Sequence, residues 1–181
     1  MNFAWAKPAT VALAATLALS LGLSACGRKD AASSANDEAA IKAAQEFLIE
    51  NGKKDGVQTL PSGLQYKVVK SGAPAGIQPD SNDLVRVHYE GTLTDGTVFD
   101  SSFERGTPAI FAPEQVVPGW TEALQLMRPG DEWFLYVPPA LGYGEQQAGP
   151  IPANSVLVFR LQVLAVEQVP GGHKGGKAAN V

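Results

Sequence analysis

The chain has 181 residues, 45% hydrophobic and 18% charged, which sets a single ordinary globular domain as the expectation. A formal net charge of -4 argues against a nucleic-acid binder, which would carry a basic face. One Cys excludes an intrachain disulfide framework and a Cys-based zinc cage, and two His leave little for a His-based metal site, so no metal is expected.

Residues 1–25 hold a lone Lys7 followed by an apolar run over 11–23, the layout of a secretory signal and too short for a comfortable membrane span. Leu23-Ser24-Ala25-Cys26 resembles a bacterial lipobox, which makes Cys26 the expected lipidation site and the mature N-terminus. The alternative is an ordinary signal peptide with an incidental thiol. Several acyl chains would anchor firmly, because each buried CH₂ contributes about 0.8 kcal/mol. Gly27 supplies no Asp-type retention signal, which points to the outer membrane facing the periplasm.

Residues 26–36 are small and polar and read as a flexible tether. A short helix is predicted over 37–51, capped by Asn36 or Asp37 and ended by Gly52 with Lys53 and Lys54, then a linker to residue 56. Its Ile41, Ala44, Phe47 and Leu48 share one face, which either docks on the domain or a partner or belongs to a solvated spacer. Nineteen Gly and thirteen Pro favour short strands joined by turns over the rest of the chain.

The first strand is predicted over 64–69, after the turn Pro61-Ser62-Gly63. Residues 84–93 alternate, with Val85, Val87 and Tyr89 on one face and Arg86, His88 and Glu90 on the other. Thr94-Asp95-Gly96-Thr97 marks a hairpin turn into a strand over 98–100. A helix over 120–127 places Trp120, Leu124 and Met127 on one side and stops at Pro129-Gly130. Strands are expected over 132–137 and 155–166, the latter with Leu157, Phe159, Leu161, Val163 and Ala165 inward. Residues 169–181 form a Gly- and Lys-rich tail expected to be disordered. Residues 57–168 thus read as an α+β domain, one helix across an antiparallel sheet covered on one side.

The sequence contains no Gly-x-Ser-x-Gly, phosphate loop or paired His. Its unusual feature is the aromatics adjoining turns: Tyr89, Phe99, Phe111, Trp120, Tyr143 and Phe159. Taken alone they are core residues more often than ligand contacts.

Three stretches carry a resemblance. Val87-His-Tyr-Glu-Gly-Thr-Leu-Thr-Asp-Gly-Thr-Val-Phe-Asp-Ser-Ser102 is similar to the first signature of FKBP-type proline isomerases. Gln115-Val-Val-Pro-Gly-Trp-Thr-Glu-Ala-Leu124 resembles their central helix. Leu141-Gly-Tyr-Gly144 with Ile151-Pro-Ala-Asn-Ser-Val-Leu-Val-Phe159 resembles their late loop and last strand. The entry over residues 56–66 is similar to the macrophage-infectivity-potentiator branch, whose usual dimerisation helix is longer than the one expected here.

The resemblance implies an FKBP-like fold, an antiparallel half-barrel sheet wrapped around one short α-helix, and peptidyl-prolyl cis-trans isomerase activity without a cofactor. It implies an apolar proline pocket with Trp120 as floor and Tyr89, Phe99, Val116, Val117 and Phe159 as walls. Tyr143 would offer a hydroxyl and Val117 an N–H to substrate carbonyls. Asp100 would sit at the edge, held by Arg105, and Ile151 would close one side. Asp100 with Arg105 also reads as a purely structural ion pair. Ala109 stands where many members carry a wall-forming Phe, which should open the pocket and weaken macrolide binding. The implied partners are proline-containing unfolded or partly folded envelope polypeptides, with tacrolimus and rapamycin as inhibitors. The rival reading is a non-catalytic periplasmic peptide-binding chaperone lipoprotein using the same groove.

Overall fold

The computed structural model describes residues 27–171; the signal segment, Cys26 and residues 172–181 lie outside the described residues. Helix α1 spans Gly27–Asn51, ten residues longer at its start than the sequence pattern suggests. The Ser and Asn of residues 27–36 favour a tether, but the segment also holds Ala31, Ala32 and Ala35, and Ala has the highest helix propensity. The C-terminal part of α1 docks on the domain rather than standing as a solvated spacer. Ala44 is buried, and the Phe47 ring lies 6.2 Å from that of Tyr136. Buried Asn51 donates to Gln65 Oε1 at 2.9 Å, and Gln65 Nε2 donates to the Leu48 carbonyl at 2.8 Å.

Seven strands follow among the described residues: β1 Val57–Thr59, β2 Gln65–Lys70, β3 Leu84–Thr92, β4 Val98–Ser101, β5 Ala109–Phe111, β6 Glu132–Val137 and β7 Leu157–Glu167. They form one antiparallel sheet in the order β1-β2-β6-β7-β3-β4, and β5 also pairs with β3. β3 lies along β7 over its whole length, so β4 and β5 share the other edge of β3, pairing at Glu90–Thr92 and Val85–Val87 respectively. Helix α2, Pro118–Leu124, crosses the inner face. It starts two residues before the expected position because Pro118, with its fixed φ and no N–H, suits the first helical position. The chain then closes in a turn, with the Met127 N–H bonded to the Ala123 carbonyl at 3.2 Å.

The core lies between α2 and the sheet. Period-two alternation sends Val85 and Val87 of β3, Leu135 and Val137 of β6, and Leu157, Leu161 and Val163 of β7 to meet Leu124 and Met127. Each such fully buried side chain is stabilised by roughly 1.5–3 kcal/mol relative to exposure. Gly119 lets α2 approach β6, since a Cβ there would stand 2.7 Å from Val137 Cγ1. One inward assignment needs correcting. The register steps from Val87↔Val163 to Arg86↔Ala165, leaving Leu164 as a bulge. The extra residue reverses the phase, so Ala165 is only half-buried and Val166 packs against the core instead. At the end of the domain, the buried Asp83 carboxylate accepts the Val169 N–H at 2.8 Å, so ordered packing reaches past residue 168.

Candidate active site

Where β3, β4, β7 and the start of α2 converge, the concave face holds an open cavity of about 510 Å³. It is lined by Tyr89, Phe99, Asp100, Val116, Val117, Trp120, Tyr143 and Phe159, together with Phe111 and Gln115. Trp120, 4% exposed, is surrounded by rings standing edge-on to its own. The centroids of Tyr89, Phe111 and Phe159 lie at 5.2, 5.8 and 5.1 Å, with interplanar angles of 86°, 85° and 79°. Phe99 stands against Phe159 at 5.7 Å and 87°. Edge-to-face contact is the favoured ring geometry, worth about 0.5–1.5 kcal/mol per pair beyond area burial. The indole N–H of Trp120 is buried with no acceptor among the described residues. The ring is thus held for its surface rather than for its hydrogen bond.

A model of FKBP-type peptidyl-prolyl cis-trans isomerases matches residues 75–164, and a model of the domain amino-terminal to such isomerases matches residues 15–68. The chain is 54% identical over 127 residues to the FKBP-type isomerase FkpA of Aeromonas hydrophila, covering 70% of this chain and 47% of that protein. It is 49% identical over 123 residues to the outer membrane protein MIP of Legionella longbeachae, covering 67% and 52%. The crystal structure of a peptidyl-prolyl cis-trans isomerase from Pseudomonas syringae superposes with a TM-score of 0.67 at 39% identity, covering 72% of this chain and 96% of that one. The chain belongs to the FKBP-type isomerase family. It spans about half the length of the curated relatives it matches.

In this FKBP-type domain Arg105 is outside the cavity lining but supports it from behind. Its guanidinium donates to Asp100 Oδ1 and, at 3.0 Å, to the Tyr89 hydroxyl, which in turn donates to Asp100 Oδ2. Burial pushes the Asp100 carboxyl up, but the hydrogen bonds from Tyr89 and Arg105 outweigh it and hold it below the ordinary aspartate range. Burial first, and then the Asp100 carboxylate, raise the Tyr89 hydroxyl above its ordinary value. The Arg105 guanidinium is raised by its bonds to Asp100 and Tyr89. The edge of the cavity is therefore a neutral, internally paired triad. Tyr143 is different. It is 45% exposed, and its hydroxyl has no partner among the described residues, which leaves it open to a ligand.

Two expected positions are elsewhere. Ile151 is 5% exposed and belongs to the core cluster, because the bridge Ala148↔Ile151 turns it inward; it does not line the cavity. Ala109 pairs with Val87 and packs against the core, outside the lining. Phe111, two residues on and on the same face of β5, does line the cavity. The sequence flags Phe111 only as one of the aromatics adjoining turns, and the alternation Ala109-Ile110-Phe111 is too short to read as a strand. Gly91 is a further site residue that sequence reasoning misses. A Cβ there would stand 2.5 Å from Phe99 Cε2 and 2.8 Å from Phe159 Cε1, so only glycine lets these two wall rings sit over β3.

Proposed function

We propose that this chain accelerates cis-trans rotation of X-Pro bonds in proline-containing polypeptides of the bacterial envelope, held to the membrane by lipid on Cys26. The observation that carries the isomerase reading is the open, ring-walled cavity floored by Trp120. Rotation about X-Pro is slow because amide resonance must be lost, with a barrier of about 18–20 kcal/mol. No covalent bond changes, so neither nucleophile nor general base is required. The site need only hold the twisted amide better than the planar one. A planar amide is more charge-separated and prefers water, so an apolar cavity disfavours it relative to the twisted state. The pyrrolidine ring rests on Trp120. The Tyr143 hydroxyl and the Val117 N–H, free of intrahelical bonding at the start of α2, take the flanking carbonyls. A barrier lowered by about 7 kcal/mol gives roughly a hundred-thousand-fold acceleration.

An isomerisation assay on short X-Pro peptides tests this. The full chain should accelerate exchange, and Trp120→Leu should abolish most of it. No acceleration by a folded chain would falsify the enzyme reading. The non-catalytic chaperone alternative draws its support from Ala109, which lies outside the cavity lining. Macrolides of the tacrolimus type would occupy the same cavity and quench or shift Trp120 emission.

Support for envelope placement comes from the lipobox-like Leu23-Ser24-Ala25-Cys26 and from the name of the Legionella relative, an outer membrane protein. Among the described residues no helix is long and apolar enough to cross a membrane. Cys26→Ser should release the protein from membranes, and unchanged fractionation would count against the anchor.

A further inference from the structure

We propose that Phe103 is a positioning residue, a clasp on the outer face of the sheet that holds Arg105 in place on the inner side. Its activity arm rests on the isomerase reading above; its titration arm does not.

The edge of β3 has a gap. β4 pairs from Glu90 onward and β5 only up to Val87, so among the described residues Tyr89 has no strand neighbour on that edge. Ser102, fully buried, fills the gap. The Tyr89 N–H donates to Ser102 Oγ at 2.7 Å, and the Ser102 N–H donates to the Tyr89 carbonyl at 2.9 Å. One residue therefore replaces a ladder partner and fixes where the chain leaves the sheet.

The next residue turns to the outer face. The Phe103 ring stacks on His88 at 4.8 Å and 17°, and the Arg160 guanidinium lies 4.9 Å from the same ring. Arg160 is itself held by Glu132 at 2.7 Å, and His88 Nδ1 lies 3.0 Å from Ser102 Oγ. Phe103 is part of neither the core cluster nor the cavity lining, so its clasp has no packing role in either. The turn then closes, with the Gly106 N–H bonded to the Phe103 carbonyl at 3.0 Å, and brings Arg105 back to Asp100 and Tyr89. Phe103 and Arg105, two residues apart, straddle the edge of β3. An exposed Arg on a free loop would lose much rotamer entropy on pairing, and a loop pinned by stacking has lost part of it already.

The test uses the full chain with Phe103→Leu, which keeps apolar bulk but not a flat ring, and Phe103→Tyr, which keeps the ring. Carboxyl NMR titration reads Asp100 directly. In Phe103→Leu the Asp100 transition should move up toward the ordinary aspartate range, and kcat/KM should fall about tenfold through kcat, since small misplacements of site groups are costly. Phe103→Tyr should restore both. Arg160→Gln, which loosens the clasp without touching its ring, should give a smaller shift of the same sign and serves if Phe103→Leu does not fold. A folded Phe103→Leu with Asp100 titrating as in the parent overturns the proposal, as does an unshifted Arg160→Gln where Phe103→Leu does not fold. If the parent chain shows no isomerisation, the isomerase reading fails and the Asp100 titration still decides the clasp.

Discussion

Two halves of the same concave face are built from the same strands and the same helix, yet one is sealed and the other open. Along β3 the inward residues run Val85, Val87, then Tyr89; along β7 they run Val163, Leu161, then Phe159; on the helical segment they run Met127, Leu124, then Trp120. Each element passes from a non-aromatic chain to an aromatic ring within one inward step, and β7 returns to the buried Leu157 beyond Phe159. Branched aliphatic chains interdigitate and fill space at a density near 0.74. Rings standing edge-on are stiff plates that brace one another without filling the space between them, and the space left over is the cavity. A binding site can thus be made by changing the shape of core residues while keeping their pattern.

Substitution in each half tests this contrast. The largest effect is expected in the sealed half: Leu161→Ala should cost about 2–5 kcal/mol by denaturant titration, with the ligand affinity of the folded protein little changed. A loss of affinity larger than the loss of stability would mean that the halves are not separable. Gly91→Ala presses a methyl into Phe99 and Phe159 and should cost about 1–3 kcal/mol while collapsing the open half, read as lost macrolide or peptide binding. Tyr143→Phe should leave stability within about 0.5 kcal/mol and lower kcat/KM about fivefold, the scale of one hydrogen bond. The smallest effect is on pH dependence. The Asp100 carboxyl is depressed in the folded state, so its contribution is fully present above its ordinary value of 3.8 and is lost as pH falls through the lower folded value. With the side chain 41% exposed the slope should be shallow, and Asp100→Asn should flatten the acid limb of the thermal midpoint.

Much of the fold is legible in the sequence because long alternating runs carry their own period. The strand expected over residues 132–137 has those bounds in the structure, and β3 agrees within one residue. β1 and β5 escape because three residues contain no measurable period. Most of the expected site residues meet at one cavity, since the family motifs specify them in order. Phe111 is flagged as a turn-adjoining aromatic but not as a wall, and Ile151 and Gly91 are not legible in their observed places, because a residue's destination there depends on what stands across the sheet from it.

Local pattern along the chain is enough to set which face of each long strand is apolar, where the turns fall, and that several aromatics adjoin turns. Packing in three dimensions settled the rest: that those rings stand on edge around an open space, that the bulge at Leu164 sends Val166 rather than Ala165 inward, and that Ser102 and Phe103 grip the sheet from its edge and its back. Periodicity is a property of neighbours along the chain, whereas the angle between two rings and the filling of a strand gap are fixed by residues far apart in sequence.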